Sequence, residues 1–270
     1  MKKFFKYLLI GLGSFFLLVV IGITIWWNTR TDGEKSDLLV GAGDYEAAIE
    51  LNPDNSDAWM ERSVSFNKAG DFKKGFEYLD KAVELEPKKH LGYRGWIRLR
   101  KMRDYDKALI DFARLDSLTP NIADAPWGED IDFLRGECYF GNKNYQKAIE
   151  SFNLSIENQG EDWVDIHTFV YLGICHYELE NYEKAILEFE RALLQSKHTP
   201  EAYLGLAKAY QKLGEIERAK ENVLKAEEEI HYKRDDVYNE YLNEIYISEI
   251  LEFQVQLNKQ LYTKEPYSKN

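Results

Sequence analysis

Cysteine is scarce in this chain. Cys138 and Cys175 are the two among 270 residues, too few for a disulfide framework and without the spacing of metal ligands. Proline is scarce as well, with six over the whole length, which leaves room for long uninterrupted helices. The five histidines, His90, His167, His176, His198 and His231, are scattered, and no HExxH, CxxC or glycine-rich phosphate loop accompanies them. Carboxylates abound, but spacing singles out no pair. These absences argue against an enzyme, a metal site or a bound cofactor. Positive charge is also in deficit. Net charge is −12, and beyond the first 27 residues 32 basic residues stand against 47 acidic ones, or −15. Such a surface repels nucleic-acid phosphates, so no nucleic-acid partner is expected. It keeps the domain soluble and favours basic partners.

What is present begins with a hydrophobic amino terminus. Residues 7–27 form an uncharged run of 21, YLLIGLGSFFLLVVIGITIWW. At about 1.5 Å per residue it extends roughly 31 Å, the thickness of the hydrocarbon core of a bilayer. Lys2, Lys3 and Lys6 precede it, and Trp26 and Trp27 close it as an interfacial aromatic belt. A cleaved signal peptide is the rival reading. Its apolar stretch is shorter and ends on small residues, whereas Ile25, Trp26, Trp27 and Asn28 offer no such site. A single transmembrane helix is therefore expected. Three lysines before the span against Arg30 and Lys35 after it bias the amino terminus towards the cytoplasm. In a bacterium this predicts an inner-membrane protein with a periplasmic domain.

The remainder is periodic. Phe72, Gly75, Leu79, Ala82 and Pro87 follow one another at 3, 4, 3 and 5 residues, and Tyr105, Ala108, Phe112, Leu115 and Pro120 repeat that spacing. The pattern recurs at Tyr145, Ala148, Phe152 and Ser155, at Tyr182, Ala185, Phe189 and Ala192, and at Ile216, Ala219, Val223 and Ala226. Steps of three and four place each set on one stripe of a helix, where small residues let backbones approach and large ones fill the gap. Upstream of each lies a second amphipathic segment, as in Phe169, Leu172, Gly173 and His176 or Tyr203, Leu206, Ala207 and Tyr210. Turn residues separate the two: Gly70-Asp71, Asn144, Asn181 and Gly214.

These motifs, YEKAILEFERAL and YQKAIESF among them, resemble the tetratricopeptide repeat, a 34-residue helix–turn–helix unit. The resemblance implies an all-α protein, an α–α superhelix preceded by the transmembrane helix. Five repeats are expected at about 56–88, 89–120, 129–162, 166–199 and 200–233. A basic tail (1–6), the span (7–27) and a linker (28–37) would precede a truncated repeat at 38–55. One long capping helix (234–262) and a tail (263–270) would follow. Its stripe of Val237, Tyr241, Ile245, Phe253, Leu257 and Leu261, flanked by Tyr238, Leu242 and Ile250, serves to cover the last repeat, with dimerisation as the alternative use. Arg103 replaces the turn glycine of the second repeat and Gly95-Trp96 inverts its large–small order, which predicts an irregular first helix there. Cys138 and Cys175 fall at equivalent sites and read as small packing residues, with a redox pair as the alternative. His176 takes the place of a core ring.

The resemblance also implies a concave groove, lined by the first helices, that receives a peptide or helix of a partner protein. Its face would present Asp57, Met60, Val64, Asn67 and Lys68, then His90, Tyr93, Ile97, Arg100 and Lys101. Asp130, Phe133, Glu137 and Phe140 follow from the third repeat. His167, Val170, Ile174, Tyr177 and Glu178 come from the fourth, and Glu201, Leu204, Lys208, Gln211 and Lys212 from the fifth. Met60 and Val64 stand where a Lys/Asn carboxylate clamp would be, so such a clamp is not expected, and an apolar or amphipathic occupant is. The basic cluster Arg94, Arg98, Arg100, Lys101 and Arg103 either holds an anionic partner group or balances neighbouring acids. Trp127 and Trp163 lie in two inserts (121–128 and 160–165) on one predicted edge, as a paired contact site or as wedges filling irregular repeats. The expected function is a non-enzymatic, membrane-anchored scaffold or adaptor, for envelope assembly or secretion. A regulatory or sensing subunit, or a subunit of a transport or surface-polymer complex, is the alternative.

Overall fold

The computed structural model describes residues 2–120, 122, 124–235 and 241–264. Within them every regular element is helical. The chain divides into two compact units, Met1–His90 and Leu91–Asn270.

The first unit opens with α1 (Lys2–Asn28), whose segment Ile10–Asn28 has a mean hydropathy of 2.2 and is long and apolar enough to cross a membrane. None of that segment is buried. Two short helices follow, α2 (Asp32–Ala42) and α3 (Tyr45–Leu51). The stretch expected as linker is therefore largely helical. Thr31 and Glu34 form a reciprocal cap there: the Thr31 hydroxyl accepts from Glu34 N, and the Glu34 carboxylate accepts from Thr31 N. That cap ties off backbone donors that would otherwise face water, and Thr-Asp-Gly-Glu is its sequence signal. Next come α4 (Ser56–Lys68) and α5 (Phe72–Leu85), joined at Gly70-Asp71, where Gly70 is left-handed and the Asp71 carboxylate accepts from Lys74 N.

The unit boundary falls within α6 (Pro87–Ile97). In the second unit α6 passes into a π-helical turn, Arg98–Met102, which ends on a left-handed Arg103. The expected irregularity takes this form. Then come the pairs α7 (Tyr105–Leu118), α8 (Ile131–Gly141) with α9 (Tyr145–Gln159), α10 (His167–Glu178) with α11 (Tyr182–Gln195), and α12 (Pro200–Lys212) with α13 (Ile216–Glu228). The pairs close on glycine: a Cβ added at Gly136 or Gly173 would sit 2.5 Å from the ring of Phe152 or Phe189, closer than any side chain tolerates. Tyr171 is wholly buried against Phe152, stacked at 5.2 Å, and against Phe133 and Phe140 at 5.9 and 5.1 Å. Cys138 and Cys175 are buried free thiols, and burial pushes both above the usual thiol range.

The carboxyl-terminal segment differs from expectation. The capping helix, α14, runs from Ile247 to Lys264 and does not begin near residue 234. A single 3-10 turn, Ile230–Tyr232, follows α13, and residues 241–246 are non-helical. In this part Arg234 N donates to the Glu201 carboxylate and Asn243 Nδ2 donates to His167, each on an earlier helix. Ile245, Ile250, Phe253 and Leu257 join the core of the last repeats, while Leu251 and Val255 face outwards. Val237, Tyr238, the Leu261 side chain, insert residues Asn121 and Ala123, and the tail from residue 265 lie outside the described residues.

Candidate peptide-binding groove

The first helices α8, α10 and α12, with the π turn after α6, carry the side chains expected to face a partner. Tyr93, Ile97, Arg100, Phe133, Val170 and Leu204 are buried, as is Met60 in the first unit. Lys101, Phe140, Tyr177, Lys208 and, in the first unit, Val64 are half-buried. An open groove was the expectation for these residues. In the second unit the chain's own carboxyl-terminal segment covers much of it.

Arg234 makes the central contacts. Its backbone N donates to Glu201 Oε1 at 2.7 Å, and its guanidinium lies 3.3 Å from Asp165 Oδ2 and 3.8 Å from Glu129 Oε1. The Tyr241 ring is held between two guanidiniums, 3.7 Å from that of Arg234 and 4.8 Å from that of Arg100. Asn243 Nδ2 donates to His167 Nδ1 at 2.9 Å. From α14, Glu249 pairs with Lys208 at 2.6 Å. A cavity of about 110 Å³ stays open beside this contact, lined by Ile174, Tyr177, Glu201, Leu204 and Lys208. It has room for a side chain rather than a small-molecule ligand.

Beneath Tyr241 lies a buried ionic cluster. Arg100 Nη1 donates to Glu137 Oε1 at 2.5 Å and Nη2 to Glu129 Oε1 at 2.6 Å. Tyr171 adds its hydroxyl to Glu137 Oε1 at 2.7 Å, and Trp96 Nε1 donates to Glu129 Oε2 at 3.0 Å. Burial works against the charged form of Arg100, but Glu137 and Glu129 more than offset it and its pKa is raised. Burial raises that of Glu137 in spite of Arg100. Arg100 lies within the π turn. Arg94 and Arg98 both meet Asp111, at 2.7 and 2.5 Å. Arg94, Arg98 and Arg100 of the basic cluster thus balance acids inside the fold.

The two insert tryptophans differ. Trp127 is 58% exposed, adopts a positive φ of 58°, and leans on Tyr93 at 4.8 Å and Trp96 at 6.1 Å. Trp163 is 84% exposed. In the first unit Ser56 and His90 come within 2.9 Å, but Ser56 donates to Glu86 and Asp57 approaches the same ring nitrogen of His90 as Ser56 does, at 3.8 Å. A nucleophile–base relay needs the carboxylate on the opposite nitrogen, so this cluster tethers helices. Among the described residues no group of histidines, cysteines and carboxylates could hold a metal ion.

The helix pairs, their caps and their glycine–aromatic approaches define the repeat, and family models agree. One described as TPR repeat matches residues 175–214, and two described as Tetratricopeptide repeat match residues 33–90 and residues 133–162 and 200–229. The chain belongs to the tetratricopeptide-repeat family. A curated relative, the BBSome complex member BBS4 of Bos taurus, is 25% identical over 190 residues, 69% of this chain and 34% of the relative. The chain thus spans about a third of that protein's length. Among solved structures, PilW, a type IV pilus biogenesis factor, aligns with a TM-score of 0.57 at 16% identity over 74% of this chain and 93% of its own. YrrB, a TPR protein with an unusual peptide-binding site, aligns at 0.53 and 16% identity over 68% and 91%. At these identities the likeness is one of fold. The match from residue 33 also takes α2 into the repeat array.

Sequence reasoning had Arg100, Glu137, His167, Glu201 and Lys208 on the groove face but missed what meets them. Glu129 and Asp165 sit in the links between repeats, Tyr171 faces a neighbouring helix, and Arg234 and Asn243 follow the last repeat. The one available signal was the loss of small–large periodicity after Ala226.

Proposed function

We propose that this tetratricopeptide-repeat protein is a membrane-tethered, non-enzymatic scaffold that binds partner proteins through its repeats. The observation that carries it is the pairing of this fold with an apolar helix, Ile10–Asn28, none of which is buried. An exposed apolar surface of that length is stable in lipid and not in water. Arg30 lies 4.7 Å over the Trp26 ring at its end, an arrangement suited to the membrane–water interface. The amino terminus faces the cytoplasm on this reading. In a bacterium the repeats then stand in the periplasm, as an assembly or secretion helper. The fold shared with a pilus biogenesis factor supports that setting. The binding surface is the groove around Tyr177, Leu204 and Lys208, with Trp163 as a contact on the insert edge.

Membranes from cells making the full chain would be washed with high salt and alkaline carbonate. The protein should stay in the pellet, and removal of residues 2–28 should release it to the soluble fraction. Release of the intact chain by the wash would overturn the anchor. In-cell crosslinking of the intact chain should recover a protein partner, and loss of that crosslink in a Leu204→Asp, Lys208→Glu variant would assign it to the groove.

A further inference from the structure

Arg234 and the stretch Tyr241–Ile245 differ in kind from the helices they touch. They belong to no helix, and Arg234 is held through one backbone donor and the charge of its guanidinium. The surface that receives them carries carboxylates: Glu201 and Asp165 meet Arg234, Glu129 lies 3.8 Å from it, and Glu137 and Glu129 hold Arg100 beneath. A planar guanidinium fits there because it meets carboxylates at its edge while its face lies on an aromatic ring, which an ammonium cannot do. The present fit is also incomplete. Arg100 Nε, Glu137 Oε2, Arg234 Nη1 and Asn243 Oδ1 are buried without a hydrogen-bond partner among the described residues. Arg100 and Glu137 have no solvent exposure at all. Beside the stretch, the cavity at Tyr177, Leu204 and Lys208 leaves part of the groove uncovered.

We propose that this groove is a receptor for a partner segment bearing an arginine followed by an aromatic residue, and that Arg234 with Tyr241 is a resident occupant which such a segment displaces. The proposal deepens the scaffold reading and rests on it. The occupant is specified by its guanidinium: Glu129, Asp165 and Glu201 meet Arg234 while the Tyr241 ring lies on its face, which selects a segment that presents an arginine and an aromatic ring together. The resident copy lowers the apparent affinity by the fraction of time it fills the site. Weak partners are thereby excluded, and a partner that also fills the open cavity gains the contacts the resident leaves unmade.

The probe is a labelled synthetic peptide with the sequence of residues 230–247, IHYKRDDVYNEYLNEIYI, and a second peptide with its arginine replaced by alanine. Fluorescence polarisation is read against the full chain in detergent micelles, as wild type and as an Arg234→Ala, Tyr241→Ala variant. The variant should bind the first peptide about tenfold more tightly than wild type, and the alanine peptide should lose that binding. Equal affinities, or no binding to either protein, would overturn the proposal. If the variant loses its cooperative thermal transition, the wild type decides. Saturable uptake of the first peptide but not the second supports displacement, and no uptake makes the stretch a fixed part of the core. A wild-type dimer that the double substitution dissolves would assign the segment to a second copy and equally overturn the proposal. A crosslinked partner recovered from cells despite a negative peptide result would leave the scaffold standing and remove this inference alone.

Discussion

Arg100 and Glu137 have no exposed surface, so the charge of each rests on the other and on the few groups around them. Removing one partner of a buried pair leaves a charge that neither water nor protein neutralises. Glu137→Ala is therefore expected to lower the unfolding free energy by about 3–5 kcal/mol, read from urea melts of the full chain. Glu137→Gln keeps an acceptor for Arg100 and Tyr171 and should cost less. His167 gives a pH dependence of definite sign. Burial, with Arg234 adding to it and Asp165 opposing, lowers its pKa to about 4 from the usual 6.5. The unfolded chain then binds the proton more readily, so the contribution of neutral His167 is complete above about pH 6.5 and is lost as pH falls towards 4. Neutral His167 accepts from Asn243 through Nδ1, and a proton there would face the amide donor. The melting temperature should fall across this window, and it should fall less in His167→Asn. An equal decline in both proteins would exclude His167 as the cause.

At the scale of the element, the turns inside the repeats carry a local cost. Lys143 and Glu180 hold φ values of 57° and 60° where Gly70 and Gly214 stand in other repeats. Both side chains are exposed, so relief of backbone strain is the main effect of replacing them. Lys143→Gly and Glu180→Gly should each raise stability by up to about 1 kcal/mol, after the greater freedom of the unfolded glycine chain is deducted. Differential scanning calorimetry would show it, and a fall in melting temperature would refute it. The sequence made the helices themselves legible because small and large residues alternate on one stripe, as Gly173 and Phe189 meet. It misjudged α14 because Tyr241 and Ile245 continue the helical spacing of Phe253 and Leu257. Spacing alone carries no trace of the contacts that Arg234 makes with Glu201 and Asp165. Residues 32–37 were assigned to a linker although Thr31 and Glu34 spell a cap.

At the scale of the molecule, the repeat array was readable and the state of its groove was not. Each unit of a repeat protein writes its contacts into its own few dozen residues, and those contacts recur. The occupancy of the groove depends on a stretch that follows the last repeat and reaches partners such as His167, whose separation in sequence from Asn243 is 76 residues. Such a contact leaves no period. The tether tells a different story about scale. Between the last residue of α1, Asn28, and the first of α2, Asp32, stand Thr29, Arg30 and Thr31 alone. Fully extended, a leash of that length reaches about 10 Å. On the proposed membrane tether, the first helices would be confined to a thin layer over the headgroups. Partners lodged in the same membrane would then meet the protein by searching a plane, and the shortness of the leash would raise their local concentration without any additional contact.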